Sequence, residues 1–338
     1  TTFGDGARYD LVADEWQLLP REGSPASRYC FTPIWTGKEI LVWGGYGGTN
    51  GQDIIYNDGA RFDPSLDTWQ PISSDGAPAR RFSHSAVWTG KEMLVWGGFT
   101  GPSAVSWANS TKALLNTGGR YNPVTDSWQS LSTQGAPGPR NSHVAIWTGK
   151  EMLIWGGVNA SKTLRDGGLY NPQTDTWRKL NPEGAPTTRA GAAAVWTGRE
   201  LIVWGGERER EYFTDGARYN PETDEWKPIS PRNAPRGRIF VQAVWTGTEM
   251  VLWGGVNDED VAGDRDKSRY VNTGGRYNPA TDTWTPMTTA GAPSGRLAPA
   301  VWTGEGVLFF GGYNNEHLNE TWLYRMVTRP RSASQPER

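Results

Sequence analysis

Apolar residues along this chain gather in short runs, each closed by a turn or a glycine pair. The clearest is Ala86 to Gly98, Ala-Val-Trp-Thr-Gly-Lys-Glu-Met-Leu-Val-Trp-Gly-Gly. It predicts two short strands joined by a Thr-Gly-Lys-Glu turn. Near copies occupy residues 33–45, 145–157, 194–206, 243–255 and 300–312. The first tryptophan of each copy stands at Trp35, Trp88, Trp147, Trp196, Trp245 and Trp302, in steps of 49 to 59 residues. A period of that length marks a propeller or a solenoid. A second hairpin alternates with the first: Gly6–Leu19, Gly59–Ile72, Gly118–Trp128, Gly167–Trp177, Gly216–Trp226 and Gly274–Trp284. Most of these copies turn through Asn-Pro or Asp-Pro, which presets a tight turn.

One repeat therefore has four strands, here a to d. Strand b, as in Met93-Leu94-Val95-Trp96, is apolar without alternation and should be covered on both faces. Strands c and d alternate more and should lie further out. The order Arg…His-Ser-Ala-Val-Trp, Leu-Val-Trp-Gly-Gly, Tyr-Asn-Pro-x-Thr-Asp-x-Trp resembles the Kelch repeat over nearly the whole chain. The resemblance implies an all-β, six-bladed Kelch-type β-propeller with four-stranded antiparallel blades, and the variant is more similar to bacterial Kelch-like proteins than to the animal adaptor type. Because the chain opens with a c–d hairpin and closes with an a–b hairpin, the N- and C-terminal strands should share one blade and close the ring. Glu320 to Met326 is a surplus c-like strand. It either adds a fifth, outer strand, the reading preferred here, or displaces the N-terminal c strand. Residues 1–327 then form one propeller and 328–338 a disordered tail.

Composition narrows the rest. The sequence holds 43 glycines and 19 tryptophans, which suits short strands and tight turns and leaves no amphipathic helix. A net charge of -2 gives no global field for nucleic acid or anionic lipid. No apolar run is long enough to insert in a membrane as a helix. The single cysteine, Cys30, excludes an internal disulfide framework. A secreted or periplasmic monomer is expected.

Loop lengths separate two ends. Trp to aromatic is eight residues across every a–b hairpin, and aromatic to Trp is seven across every c–d hairpin. Only the b–c connection varies, at 17, 23, 13, 13, 22 and 12 residues from Gly-Gly to the c-strand aromatic. The a–b end reads as scaffold, and the b–c/d–a end as the place where binding residues are grafted. Arginine recurs there before each strand a: Arg28, Arg81, Arg140, Arg189, Arg238 and Arg296. Two readings stand side by side. In one, each arginine bonds a backbone carbonyl or loop carboxylate. In the other, they ring the channel mouth and bind an anion bidentately, a use the resemblance lends. Aromatics Tyr46, Phe99, Trp107, Tyr212 and Tyr313, with Tyr29, Phe31, Phe213, Phe240 and Tyr270, would line that mouth and suit sugars or peptides.

His84 and His143 take matching places after the arginines, where packing between blades is the ordinary role. With Cys30 they make a copper, zinc or iron ligand set by residue type, but neighbouring blades project them without convergence, so no cofactor is expected. His317 stands on the last b–c loop. Asp258, Asp260 and Gly263 begin like a calcium loop, which Ala262 and Arg269 then break. Glu207 to Glu211 reads as a charged hairpin tip. No nucleophile elbow, P-loop or His-Glu-x-x-His motif occurs, and the Glu-x3-Asp-x3-His iron motif of glucosinolate-processing Kelch proteins is absent. The main expectation is a binding module for a sugar acid, glycan or acidic peptide. The alternatives are an enzyme on the same face, epimerase-, mutarotase- or metal-dependent, and a protein–protein interaction scaffold.

Overall fold

The computed structural model of the chain describes residues 4–10, 12–13, 15–48, 53–101, 113–160, 162–257 and 269–326. Among them there is no α-helix, and so none long and apolar enough to cross a membrane. The molecule is all-β. Five antiparallel sheets have four strands each in the order a-b-c-d. Sheet I is Ile34–Trp35, Ile40–Trp43, Gly59–Asp63 and Thr68–Pro71. Sheet II is Ser85–Trp88, Met93–Trp96, Gly118–Asn122 and Ser127–Ser130. Sheet III is Val144–Trp147, Met152–Trp155, Gly167–Asn171 and Thr176–Lys179. Sheet IV is Ala193–Trp196, Leu201–Trp204, Gly216–Asn220 and Glu225–Pro228. Sheet V is Gln242–Trp245, Met250–Trp253, Gly274–Asn278 and Thr283–Pro286.

Strand b is the buried centre of each sheet, as its unbroken apolar run requires. The core lies between sheets. Leu41 and Trp43 of sheet I, for example, pack on Met93, Val95, Tyr121 and Trp128 of sheet II. The recurrent Tyr-Asn-Pro-x-Thr-Asp-x-Trp motif latches sheets II, III and IV each to the one before. Asp126 accepts the Tyr121 hydroxyl at 2.6 Å and the Ser73 amide at 3.0 Å, while Trp128 Nε1 donates to the Ser73 carbonyl at 2.9 Å. The same latch recurs at Asp175 and Trp177 and at Asp224 and Trp226. Burial first, then the aspartate, raises the pKa of Tyr121, Tyr170 and Tyr219, so these phenols stay neutral donors.

The last sheet departs from the expectation of a fifth, outer strand and of a blade shared by both chain ends. Sheet VI has three strands, Ala300–Trp302, Gly306–Tyr313 and His317–Arg325. The surplus strand pairs directly with strand b, with Tyr324 opposite Val307 as Tyr121 is opposite Met93. It wins the third place because it follows strand b through a short turn, and a local partner pays less loop entropy than the distant N-terminus. The N-terminal strands Ala7–Asp10 and Glu15–Leu18 form a separate two-stranded hairpin. In sheets II and V the third strand carries a glycine where the Trp of strand d lies. A Cβ on Gly119 would stand 3.1 Å from Trp128 Cε3 and 2.5 Å from Pro78 Cγ. Sheet VI has Trp322 at that register and, among the described residues, no fourth strand. Its indole packs with Trp253, Met287 and Phe309, so the third strand itself supplies the cover that strand d supplies elsewhere.

Candidate functional site: the b–c loop face

A second, smaller tier of pairing crowns the sheets at the variable end. The residue after each arginine pairs with the residue after Gly-Gly, and that residue pairs with the b–c loop. The series runs Tyr29–Tyr46–Ile55, Phe82–Phe99–Leu114, Asn141–Val158–Thr163, Ala190–Glu207–Tyr212 and Ile239–Val256–Tyr270. Glycine is required at the bend between tiers. Gly97 and Gly98 have φ of 71° and 91°, and a Cβ on Gly97 would lie 2.8 Å from His143 Cε1.

The arginines hold this bend together. Arg140 donates from Nε to the Gly138 carbonyl at 2.9 Å and from Nη1 to the Gly156 and Asp166 carbonyls, both at 3.0 Å. Its Nη2 reaches Asp166 Oδ2, also at 3.0 Å. Arg81 and Arg238 repeat the pattern with Thr117 and Thr273 in the aspartate's place. Arg28 and Arg189 use Asp58 and Asp215, and Arg296 uses Glu320. All six side chains are buried. Tyr56 and Phe213 cover the guanidiniums of Arg28 and Arg189. Each fork is thus bonded within its own repeat, to the carbonyl-and-carboxylate set of the first reading. The partners lie inside one sheet rather than across a bidentate anion. Burial lowers the pKa of Arg81 and Arg238 to about 10, which leaves both charged at neutral pH.

The expected aromatics divide. Tyr46 and Phe99 are buried with Phe82 and Leu114 in a satellite core, so they support the face rather than line it. Tyr212 is buried as well. Tyr29 and Tyr313 are exposed, and Tyr313 meets Tyr270 edge-on at 6.0 Å. Trp107 and the acidic stretch from Asp258 to Asp266 lie outside the described residues. The charged segment Glu207–Arg208 and Glu211–Tyr212 is a hairpin, as its alternation suggested.

The histidines sit between sheets. The His84 ring faces Trp43 and Gly44 of sheet I. His143 faces Trp96 and Gly97 of sheet II and bonds Ser85 Oγ at 2.8 Å. Burial, reinforced by the neighbouring arginine charge, lowers both pKa values to about 3. Each ring serves a different interface, so Cys30, His84 and His143 are not brought to one point. Cys30 is exposed. Among the described residues no three His, Cys, Asp or Glu side chains cluster as a metal site would require.

What the face offers is a recess of about 400 Å³, bordered by Leu114, Val158, Ile239 and Phe240 with Asn141 and Glu207 at its polar edge. Phe240 is more than half exposed. It adopts φ of 54°, the left-handed conformation shared by Cys30, Ser83, Ser142 and Gly191 two residues after their arginines. The arginine spacing pointed to this end, but among the residues one and two places further on Tyr29, Cys30 and Phe240 are exposed, whereas Phe82, Asn141 and Ala190 are buried. Only Phe240 among the recess residues was marked by its type.

The KLHDC2/KLHL20/DRC7 Kelch-repeats domain matches residues 1–186 and 173–336. The chain belongs to this Kelch-repeat family. Its sheets are Kelch blades of a β-propeller. The human Kelch domain-containing protein 3 is 31% identical over 156 residues, 45% of this chain and 40% of that protein. Rab9 effector protein with kelch motifs from Danio rerio is 27% identical over 174 residues, 48% and 46% of the two chains. The tRNA wybutosine-synthesizing protein 2/3/4 of Arabidopsis thaliana is 31% identical over 126 residues, 37% of this chain and 12% of that protein. The chain covers less than half the length of each. These relatives carry unlike names on one fold, so the role of this Kelch propeller has to be argued from its own surface.

Proposed function

We propose that this propeller is a protein-interaction module whose b–c loop face seats a peptide segment of a partner. The observation that carries this is the recess around Phe240, Ile239 and Val158. It has an exposed aromatic anchor, an apolar floor and a polar edge, which is the composition of an interface centre. A peptide is favoured over a free sugar acid because the guanidiniums already serve backbone carbonyls. An acidic side chain of the peptide could still approach from the mouth. We further propose that the six sheets with an inner a–b hairpin are the blades, arranged in a ring in chain order.

The test is a peptide-display selection on the intact protein with Phe240→Asp as the counter-target. Peptides that bind the wild type and lose at least about ten-fold in affinity on Phe240→Asp support the reading, a loss of about 1.4 kcal/mol. Equal binding to both proteins would sink it. Thermal stabilisation by glucuronate or galacturonate, with no peptide selected, would return the sugar-acid reading to the front.

A further inference from the structure

The a–b and c–d turns meet at the end of the molecule whose fixed spacings read as scaffold. A groove of about 580 Å³ opens there between sheets II and III, within the roughly 300–1,000 Å³ of ligand pockets. Its charged residues are Lys91, Glu92, Arg120 and Lys150, so cations outnumber the one carboxylate. Its aromatic wall is Trp147.

The guanidinium of Arg120 is not neutralised. Its counterparts Arg218 and Arg276 stand 3.6 and 3.4 Å from Glu200 and Glu249, the glutamates of their own a–b turns. Arg120 forms no such pair with Glu92 among the described residues. It donates to neutral oxygens instead, from Nη1 to the Pro172 carbonyl and from Nε to Gln129 Oε1, both at 2.8 Å, and from Nη2 to the same Oε1. These bonds fix what the groove presents. Gln129 Oε1 is occupied, which leaves its amide nitrogen as a free donor. Asn122 Oδ1 accepts the Val124 amide at 2.9 Å, which leaves its Nδ2. Trp147 is only partly buried. Its indole N–H has no partner among the described residues, unlike those of Trp128, Trp177 and Trp226. The groove is therefore rich in donors beside an aromatic surface.

The arrangement recurs one sheet further on. Trp196, Gly198, Arg199 and Pro221 of sheet IV repeat Trp147, Gly149, Lys150 and Pro172 in a second groove of about 450 Å³ against sheet III. Lys150 lines both grooves. The residue after Thr-Gly is Lys38, Lys91, Lys150 and Arg199 in sheets I to IV, but Thr248 and Glu305 in sheets V and VI. The turn itself demands only the glycine, with φ of 94° at Gly149. The run of cations is thus not a requirement of the scaffold.

We propose that the two grooves bind one acidic oligosaccharide built of hexuronate units, with Lys150 shared between adjacent sugar sites. Trp147 and Trp196 supply flat apolar surfaces for two sugar rings. Lys91, Lys150 and Arg199 meet the carboxylates, and the amides of Asn122 and Gln129 donate to hydroxyl or ring oxygens. A peptide fits this end less well, because the lining is otherwise polar and holds no apolar floor for an anchor side chain.

The probe is tetragalacturonate, titrated calorimetrically into the intact protein, with maltotetraose as the uncharged control. One-to-one binding of tetragalacturonate that weakens as salt rises is expected, with no binding of maltotetraose. Lys150→Glu, on an exposed turn, should weaken it at least about ten-fold. Lys179→Glu makes the same change of charge on an exposed strand residue outside both grooves and should not. Trp147→Leu should weaken binding too, with the far-UV spectrum read beside it. Equal effects of Lys150→Glu and Lys179→Glu would mean that only net charge is sensed, and would overturn the proposal. So would equal binding of maltotetraose, or no binding of tetragalacturonate at millimolar concentration. Binding lost on Phe240→Asp but kept in Lys150→Glu would assign the sugar to the loop-face recess, and would overturn it as well. Peptide binding at that recess should be indifferent to Lys150→Glu, which keeps the two sites separable.

Discussion

Arg140 shows how one residue type can be read two ways. Its periodicity with five others suggested a ligand, but its fork is spent on the carbonyls of Gly138, Gly156 and Asp166. Arg140→Ala should therefore cost about 3 kcal/mol or more in urea unfolding, because buried carbonyls lose their donors. A loss below about 1 kcal/mol would return the arginine to the ligand surface. His84 gives a pH signature. Its folded pKa, about 3, lies below the unfolded value, so its contribution is complete above about pH 6.5 and is lost as pH falls towards 3. Between pH 6.5 and 5, stability should fall with a slope of up to about 1.4 kcal/mol per pH unit for such a group. His84→Gln should flatten that slope. An unchanged slope would mean that the ring is already solvated.

At the scale of the element, strand c is where the blades are tuned. Gly119 is small because the Trp128 indole crosses it. Gly119→Val should cost about 1–3 kcal/mol by overpacking, measured by denaturant midpoint, whereas Thr321→Val on the exposed edge of sheet VI should be nearly neutral. Sheet VI uses the reverse solution, Trp322 and, among the described residues, no fourth strand. The motif made the surplus strand visible, since Tyr324 keeps its distance from Gly-Gly. Its rank in the sheet was not visible, because two segments compete for one ladder and only three-dimensional proximity decides between them.

For the whole molecule, uneven burial predicts uneven stability. Amide exchange should be slowest in strands b of sheets II to IV, whose two faces are both covered. It should be fastest in the N-terminal hairpin and in sheet VI, whose outward face is half bare. Uniform protection across the described sheets would contradict this reading. The loop-face recess lies among the loops of sheets II to V, away from the N-terminal hairpin and sheet VI, so binding there should not depend on either.

The sequence by itself determined the repeat, the four strands and their order, and the buried centre of each sheet. These follow from local period, turn chemistry and fixed spacing, which act over a few residues. It also marked the end of the molecule that varies. Only the tertiary structure decided that the arginines face inward onto carbonyls and that Tyr46 and Phe99 are buried. It alone set Phe240 more than half exposed beside the recess, and it parted the N-terminal hairpin and sheet VI into separate sheets. Those outcomes depend on which groups from distant repeats compete for the same hydrogen bonds and the same covered surface, and no single repeat carries that information.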